Sequence, residues 1–227
     1  MHEVVVNSPR AVRSLAELTL EEITTATAAW AQRIHAHRGQ ARYVHVCINE
    51  RREAGATLAH SHAQVFALGF VPDAVVRETE RAEEHFRRTG RLLHEEVVRR
   101  ELSEERRVIA VGDAAVLLAP FASPTPYRLA ILPRTSEPQF ELSRSRGSKL
   151  LHDALLGLRR VLEPDADHAP PINIWIRTAT VGRDHTGWRI ELAPRLGQPA
   201  GFELGTGAGI NAVSPEHVAH ELREALG

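Results

Sequence analysis

The chain has 227 residues, enough for one large domain or two small ones, and 43% of them are hydrophobic, which supplies a sizeable core. Its 28 Lys and Arg stand against 29 Asp and Glu, interleaved as in Arg81-Ala82-Glu83-Glu84, so a formal charge of -1 excludes a basic nucleic-acid patch. The single cysteine, Cys47, rules out an internal disulfide and a cysteine-based zinc site, and is expected as a small buried side chain in a reducing compartment. The opening MHEVVVNSPR has neither a secretory nor a transit pattern, and no apolar run reaches membrane-spanning length. A cytoplasmic location with no membrane partner is the expectation.

Residues 4–6 are a β-type run closed by Asn7-Ser8-Pro9. Thr19 with Glu22 three residues on forms a capping box for a helix whose apolar face runs through Leu20, Ile23, Ala26, Trp30 and Ile34, with Gly39 as the stop. A strand follows over 42–48, with Val44, Val46 and Ile48 on one face and Tyr43, His45, Cys47 and Asn49 on the other. Polar helical patterns cover 74–88 and 92–102. Strands are predicted over 107–111, 114–118 and 128–132, the first two as a hairpin around Gly112-Asp113. An amphipathic helix over 147–162 precedes a Pro-containing linker at 164–171. Strands over 172–177 and 188–192 flank a turn, placing Trp175 and Trp188 on paired strands. A Gly-rich stretch, 201–209, leads to Ser214, an N-cap with Pro215 at the first helical position. The order helix, strand, turn, strand over 151–192 echoes that over 19–66, which suggests a duplication with one live half.

Chemistry concentrates between Asn49 and Gln64. On a strand, His60, His62 and Gln64 share one face. Imidazole serves as nucleophile or proton shuttle near neutrality, and the Gln64 amide donates to phosphoryl oxygens. Backbone N–H groups around Gly55, Ala56 and Thr57 can cradle an anion. The competing reading is a histidine pair on a sheet surface with no chemistry.

The block Asn49…Ala54-Gly55-Ala56-Thr57-Leu58…His60-Ser61-His62-Ala63-Gln64 resembles the galactose-1-phosphate uridylyltransferases of the histidine-triad superfamily. So do Pro120-Phe121-Ala122, the run from Ile190 to Leu196, and the closing Ala200-Gly201-Phe202-Glu203-Leu204-Gly205-Thr206-Gly207…Ile210-Asn211…Pro215-Glu216. The similarity covers essentially the whole chain. It implies an α+β fold, a mostly antiparallel sheet of two histidine-triad-like halves with helices packed on one side. The first half, 1–133, would carry the site, and the second, 147–227, would be degenerate.

The resemblance also implies transfer of a nucleoside monophosphate between sugar 1-phosphates through a covalent nucleotidyl-histidine at His62, with Gln64 donating to the phosphoryl oxygens. Asn49, Gly55, Ala56, Thr57 and His60 would bind substrate. Phe202 and Glu203 match a sugar-contacting segment that in the family reaches the neighbouring subunit's site, which implies a homodimer. Expected partners are a nucleotide sugar and a sugar 1-phosphate.

The departures are as informative. The chain begins after the region that in the family supplies a Cys-x-x-Cys zinc pair; Ala11 stands where a further ligand is expected, and only His60 remains. At the second, iron-type site Glu78 persists, but Gly187 and Arg189 stand at the expected histidines. No metal or other cofactor is expected, and Glu78 reads as a solvated helix residue. Arg51 takes the place of a turn glycine that allows positive φ. An active nucleotidyltransferase is the leading reading. A phosphorylase or hydrolase using the same histidine, or a non-enzymatic nucleotide-binding scaffold, is the alternative.

Overall fold

Local signals set most of the elements. The computed structural model describes residues 1–143, 145–163 and 169–227. Strand β1 (His2–Val6) leads through a 3-10 turn, Leu15–Glu17, to helix α1 (Leu20–Arg38). The capping box forms as expected: Thr19 Oγ1 accepts the Glu22 N–H while the Glu22 carboxylate accepts that of Thr19, a cap worth about 1 kcal/mol. Strands β2 (Tyr43–Glu50) and β3 (His62–Leu68) follow, then helices α2 (Asp73–Thr89) and α3 (Leu93–Glu104). Strands β4 (Val108–Val111), β5 (Ala115–Leu118) and β6 (Leu129–Pro133) precede helix α4 (Ser148–Leu162). The chain closes with β7 (Ile172–Arg177), β8 (Arg189–Pro194), the short α5 (Gly201–Thr206) and α6 (Pro215–Leu226), capped by Ser214. Of the linker expected at 164–171, residues 164–168 lie outside the described residues.

Among the described residues eight strands form one antiparallel sheet in the order β1-β3-β2-β7-β8-β6-β5-β4. The pairing reads alike from either side of the β2–β7 seam: β1 pairs with β3 beside β2, and β6 pairs with β8 beside β7. The sheet is continuous across the two expected halves, because β6, within residues 1–133, is bonded to β8.

Alternation along the strands divides the sheet into two faces. Val46, Ile48, Val65, Ile174, Ile176, Ile190, Leu192 and Ile131 point to the main core beneath α1, α4 and α6. The opposite face carries a paired row of Gln64, Cys47, Trp175, Glu191, Ala130 and Leu118. Two sequence expectations change here. Helices pack on both faces, since Val98 of α3 joins Leu118, Ala130 and Leu132 in a second apolar cluster. Cys47 is half-buried on this second face, because strand parity places it opposite Gln64. Trp188 lies one residue before β8, fully buried and edge-on to Phe140 at 5.4 Å. Among the described residues no helix is long and apolar enough to cross a membrane.

Candidate active site

Strand β3 opens at His62, where an antiparallel ladder on either side fixes which way each side chain points. Val6 pairs with His62 and Val4 with Gln64, while Cys47 of β2 lies across Gln64 from the other side. His62 and Gln64 therefore share the second face, about 7 Å apart along the strand. One step beyond the Ile48↔Ala63 pair, the register sets Asn49 across from His62, and Asn49 in turn pairs with Asn173 of β7. The sheet brings His62, Gln64 and Asn49 together.

The His62 ring is buried, and its Nδ1 lies 2.8 Å from the carbonyl oxygen of His60. A carbonyl only accepts, so Nδ1 carries the hydrogen, and in the neutral ring Nε2 keeps its lone pair. His60 departs from the expected geometry. It precedes the strand, and its Nε2 donates to the Ser8 carbonyl at 3.0 Å. The chain turns before β3, so the face shared by His62 and Gln64 does not extend back to His60; its ring instead ties the loop to the segment after β1.

The loop between β2 and β3 also differs from a simple anion cradle. After the turn Arg52–Ala54, the Gly55 and Ala56 N–H groups donate back to the Arg52 and Arg51 carbonyls at 2.9 and 3.0 Å. Those two donors are committed to the turn. Thr57 is exposed and offers its hydroxyl. Gly55 holds φ of 90°, which favours glycine, and Arg51 holds φ of 70° without being one.

Several polar residues that meet the candidate site residues had no signal of their own in the sequence. Asn173 Nδ2 donates to Asn49 Oδ1 and to the Ala54 carbonyl, both at 2.8 Å. It fixes the Asn49 amide and ties it to the loop, leaving the Asn49 N–H groups as donors. The alternation Ile172, Ile174, Ile176 against Asn173, Trp175, Arg177 was the clue available. Beneath the loop lies a buried polar cluster. Glu50 accepts from Ser14 Oγ at 2.6 Å, the Leu15 N–H at 2.6 Å and Ser61 Oγ at 3.0 Å. Burial pushes the Glu50 carboxyl up to about 7, against those three hydrogen bonds. Asn7 Nδ2 donates to Ser61 Oγ at 2.9 Å, and Trp30 Nε1 donates to Asn7 Oδ1 at 3.0 Å.

Phe202 and Glu203 follow β8 in the chain. Both are on α5, where the Glu203 carboxylate accepts the Ala200 N–H at 3.0 Å. The segment is held near residues 123–124, with Asn211 Nδ2 donating to the Ser123 carbonyl at 3.1 Å. Pro124 belongs to the loop that enters β6, four strand spacings from β3, or roughly 19 Å.

The iron-type position is occupied by a guanidinium. Arg189 forms a two-pronged ion pair with Glu78, its Nη2 at 2.7 Å from Oε2 and its Nη1 on Oε1. Its Nε also meets Glu191 Oε1 at 2.8 Å. Burial works against the charge of Glu191, but Arg189 and Arg128 beside it hold the carboxyl below the usual range. Glu78 is therefore a partner in an ion pair rather than a solvated helix residue. A side chain at Gly187 would bring its Cβ within 2.4 Å of His94 Nδ1. With both carboxylates taken by a cation of the chain itself and the Gly187 position closed by His94, these residues do not fit a metal ion. This network lines a cavity of about 970 Å³ under α2 and α3; His62, Gln64 and Asn49 do not line it.

A family model described as "Domain of unknown function (DUF4921)" matches residues 10–227. The ADP-glucose phosphorylase of Arabidopsis thaliana is 30% identical over 231 residues, 98% of this chain and 64% of its own length. This chain thus spans just under two thirds of that relative. The crystal structure of an ADP-glucose phosphorylase from Arabidopsis thaliana with bound ADP-glucose superposes with a TM-score of 0.87 at 28% identity, covering 98% of this chain and 72% of that one. A uridylyltransferase structure gives a TM-score of 0.89 at 26% identity, covering 99% and 74%. The chain belongs to the family described as a domain of unknown function (DUF4921), and its fold is that of the galactose-1-phosphate uridylyltransferase-like proteins of the histidine-triad superfamily, as its motifs implied.

Proposed function

We propose that the chain transfers a nucleoside monophosphate from a nucleotide sugar through a covalent intermediate on His62. The observation that carries this reading is the His62 Nδ1–H donated to the His60 carbonyl at 2.8 Å, which leaves Nε2 as a nucleophile with a fixed ring. In the first step a bond forms between Nε2 and the α-phosphorus, the bond from that phosphorus to the bridging oxygen breaks, and the sugar 1-phosphate leaves. In the second, an acceptor oxygen attacks phosphorus and Nε2 departs. The Gln64 amide, on the same face as His62, and the N–H groups of Asn49 are proposed as the donors that meet charge rising on the phosphoryl oxygens, a role supported by the register that sets them beside His62. Thr57 adds a hydroxyl from the loop.

The acceptor is proposed to be inorganic phosphate, with ADP-glucose as the nucleotide sugar, because the 30%-identical relative is an ADP-glucose phosphorylase. A UDP-hexose with a hexose 1-phosphate acceptor is the second reading, favoured by the similarity to a uridylyltransferase structure. The part of Phe202 and Glu203 in sugar binding is proposed to come from a second copy in a homodimer, as the family resemblance implies.

Intact-protein mass spectrometry after incubation with ADP-glucose or UDP-glucose tests the scheme. One acid-labile nucleoside monophosphate adduct, absent in His62→Ala, is expected; discharge by phosphate or by hexose 1-phosphate then identifies the acceptor. A protein that binds these nucleotides without forming any adduct is a binding protein, and the transfer reading fails.

A further inference from the structure

We propose that Glu50 is a positioning residue of this site, acting through Ser61 to hold the His60–His62 backbone so that the His62 ring keeps its Nδ1–H on the His60 carbonyl. The inference rests on His62 as the nucleophile. Ser61 lies between the two histidines, and all of its polar groups are engaged. Its N–H donates to the Val12 carbonyl at 2.8 Å and its carbonyl accepts the Asn7 N–H at 3.1 Å. Its hydroxyl accepts from Asn7 Nδ2 at 2.9 Å and donates to Glu50 Oε1 at 3.0 Å.

Glu50 is the residue that joins this serine to the rest of the fold. It ends β2, directly after Asn49, and its side chain is 1% exposed on the core face. One carboxylate ties two stretches of chain to the end of β2: the turn of Ser14 and Leu15, and the loop at Ser61. Its bonds to Ser14 Oγ and the Leu15 N–H are both 2.6 Å. Among the described residues no cation meets this buried carboxyl, a costly arrangement that an apolar side chain would avoid but that would leave Ser61 without its acceptor. The consequence is geometric. The His60 carbonyl that accepts from His62 belongs to the peptide that leads directly into Ser61, so losing the Ser61 hydroxyl leaves that peptide with the Ser61 N–H bond to Val12 as its tether, able to tilt about it, and lets the His62 ring exchange tautomers. With Nδ1 no longer anchored, Nε2 would carry the hydrogen for part of the time and could not attack phosphorus.

Three variants and two readouts test this. The ¹⁵N chemical shifts of the His62 ring report its tautomer, independently of any catalysis, and rapid-quench adduct formation gives the transfer rate and its dependence on nucleotide-sugar concentration. Wild type is expected to hold a single Nδ1–H tautomer. Ser61→Ala and Glu50→Ala are expected to populate both tautomers and to slow adduct formation at saturating substrate by on the order of 10- to 100-fold, with the half-saturating concentration little changed. Glu50→Gln keeps an oxygen acceptor for Ser61 and Leu15 and is expected to recover most of that loss. If Glu50→Ala does not fold, Ser61→Ala decides the matter. A folded Ser61→Ala protein that keeps the wild-type tautomer and rate overturns the proposal. If wild type forms no adduct, the transfer reading fails, and the tautomer of Ser61→Ala still decides the positioning role.

Discussion

Arg51 sits at φ 70°, ψ 159°, a backbone region populated almost wholly by glycine. A Cβ there costs about 1–3 kcal/mol. The side chain returns part of that, since Nη1 donates to the Ala169 carbonyl at 3.2 Å and Nη2 meets Glu53 at 3.3 Å. Comparing Arg51→Gly with Arg51→Ala isolates the backbone term, because both variants lose these side-chain bonds. Glycine gives up about 0.4–1 kcal/mol through its freer unfolded chain. It gains the whole of the strain, so Arg51→Gly is expected to be more stable than Arg51→Ala by about 1–2 kcal/mol. In a domain of this size each kcal/mol moves Tm by about 2–4 °C. Urea titrations of the two variants, with Tm from calorimetry, read the difference directly. An Arg51→Ala protein as stable as Arg51→Gly, or more so, would refute the strain and with it the idea that arginine occupies a glycine position in this turn.

Glu50 makes a prediction about pH that needs no substrate. Its folded carboxyl titrates at about 7 against an ordinary value of 4.5, so the folded state keeps a proton that the unfolded chain gives up between those values. Stability contributed by that proton is fully present below about pH 4.5 and is lost as pH rises through 7, a total of about 3 kcal/mol at 1.36 kcal/mol per pH unit. The urea midpoint of wild type minus that of Glu50→Gln, followed from pH 4 to 8, is expected to fall; a flat difference would mean that the carboxyl is not held up by burial. For the ion pair that stands at the iron-type position, Arg189→Ala leaves the 4%-exposed Glu191 with Arg128 and, at 3.8 Å, Arg177, strands Glu78, and is expected to cost about 2–3 kcal/mol in denaturation. Arg189→Lys recovers little of it, because an ammonium cannot span both oxygens of Glu78 while also reaching Glu191; equal stability of all three proteins would remove the structural role given to the guanidinium.

Much of the fold was legible because its signals are local. Thr19 with Glu22, Ser214 with Pro215, and the alternation of Val44, Val46 and Ile48 each concern residues within a few positions of one another, where backbone periodicity alone decides what faces what. The same parity put His62 and Gln64 on one face. It misplaced His60, since parity holds only within a strand and the ladder to β1 begins at His62. Asn173 was invisible as a partner of Asn49, from which it is separated by 124 positions, because their contact depends on which strands become neighbours.

By itself, then, the sequence determined the elements, the antiparallel α+β class and the motif that marks His62. Tertiary structure alone decided which charges are buried and what they meet. In sequence Glu50 reads as one more charged turn residue, and Glu78 as one more carboxylate on a polar helix. Packing of the Ser14–Leu15 turn over one, and of β8 against the other, turned the first into a buried anchor beneath the histidines and the second into half of an ion pair. The physical reason is that burial is a property of what lies across a space, and a linear pattern carries that information only when both sides of the space are close in the chain.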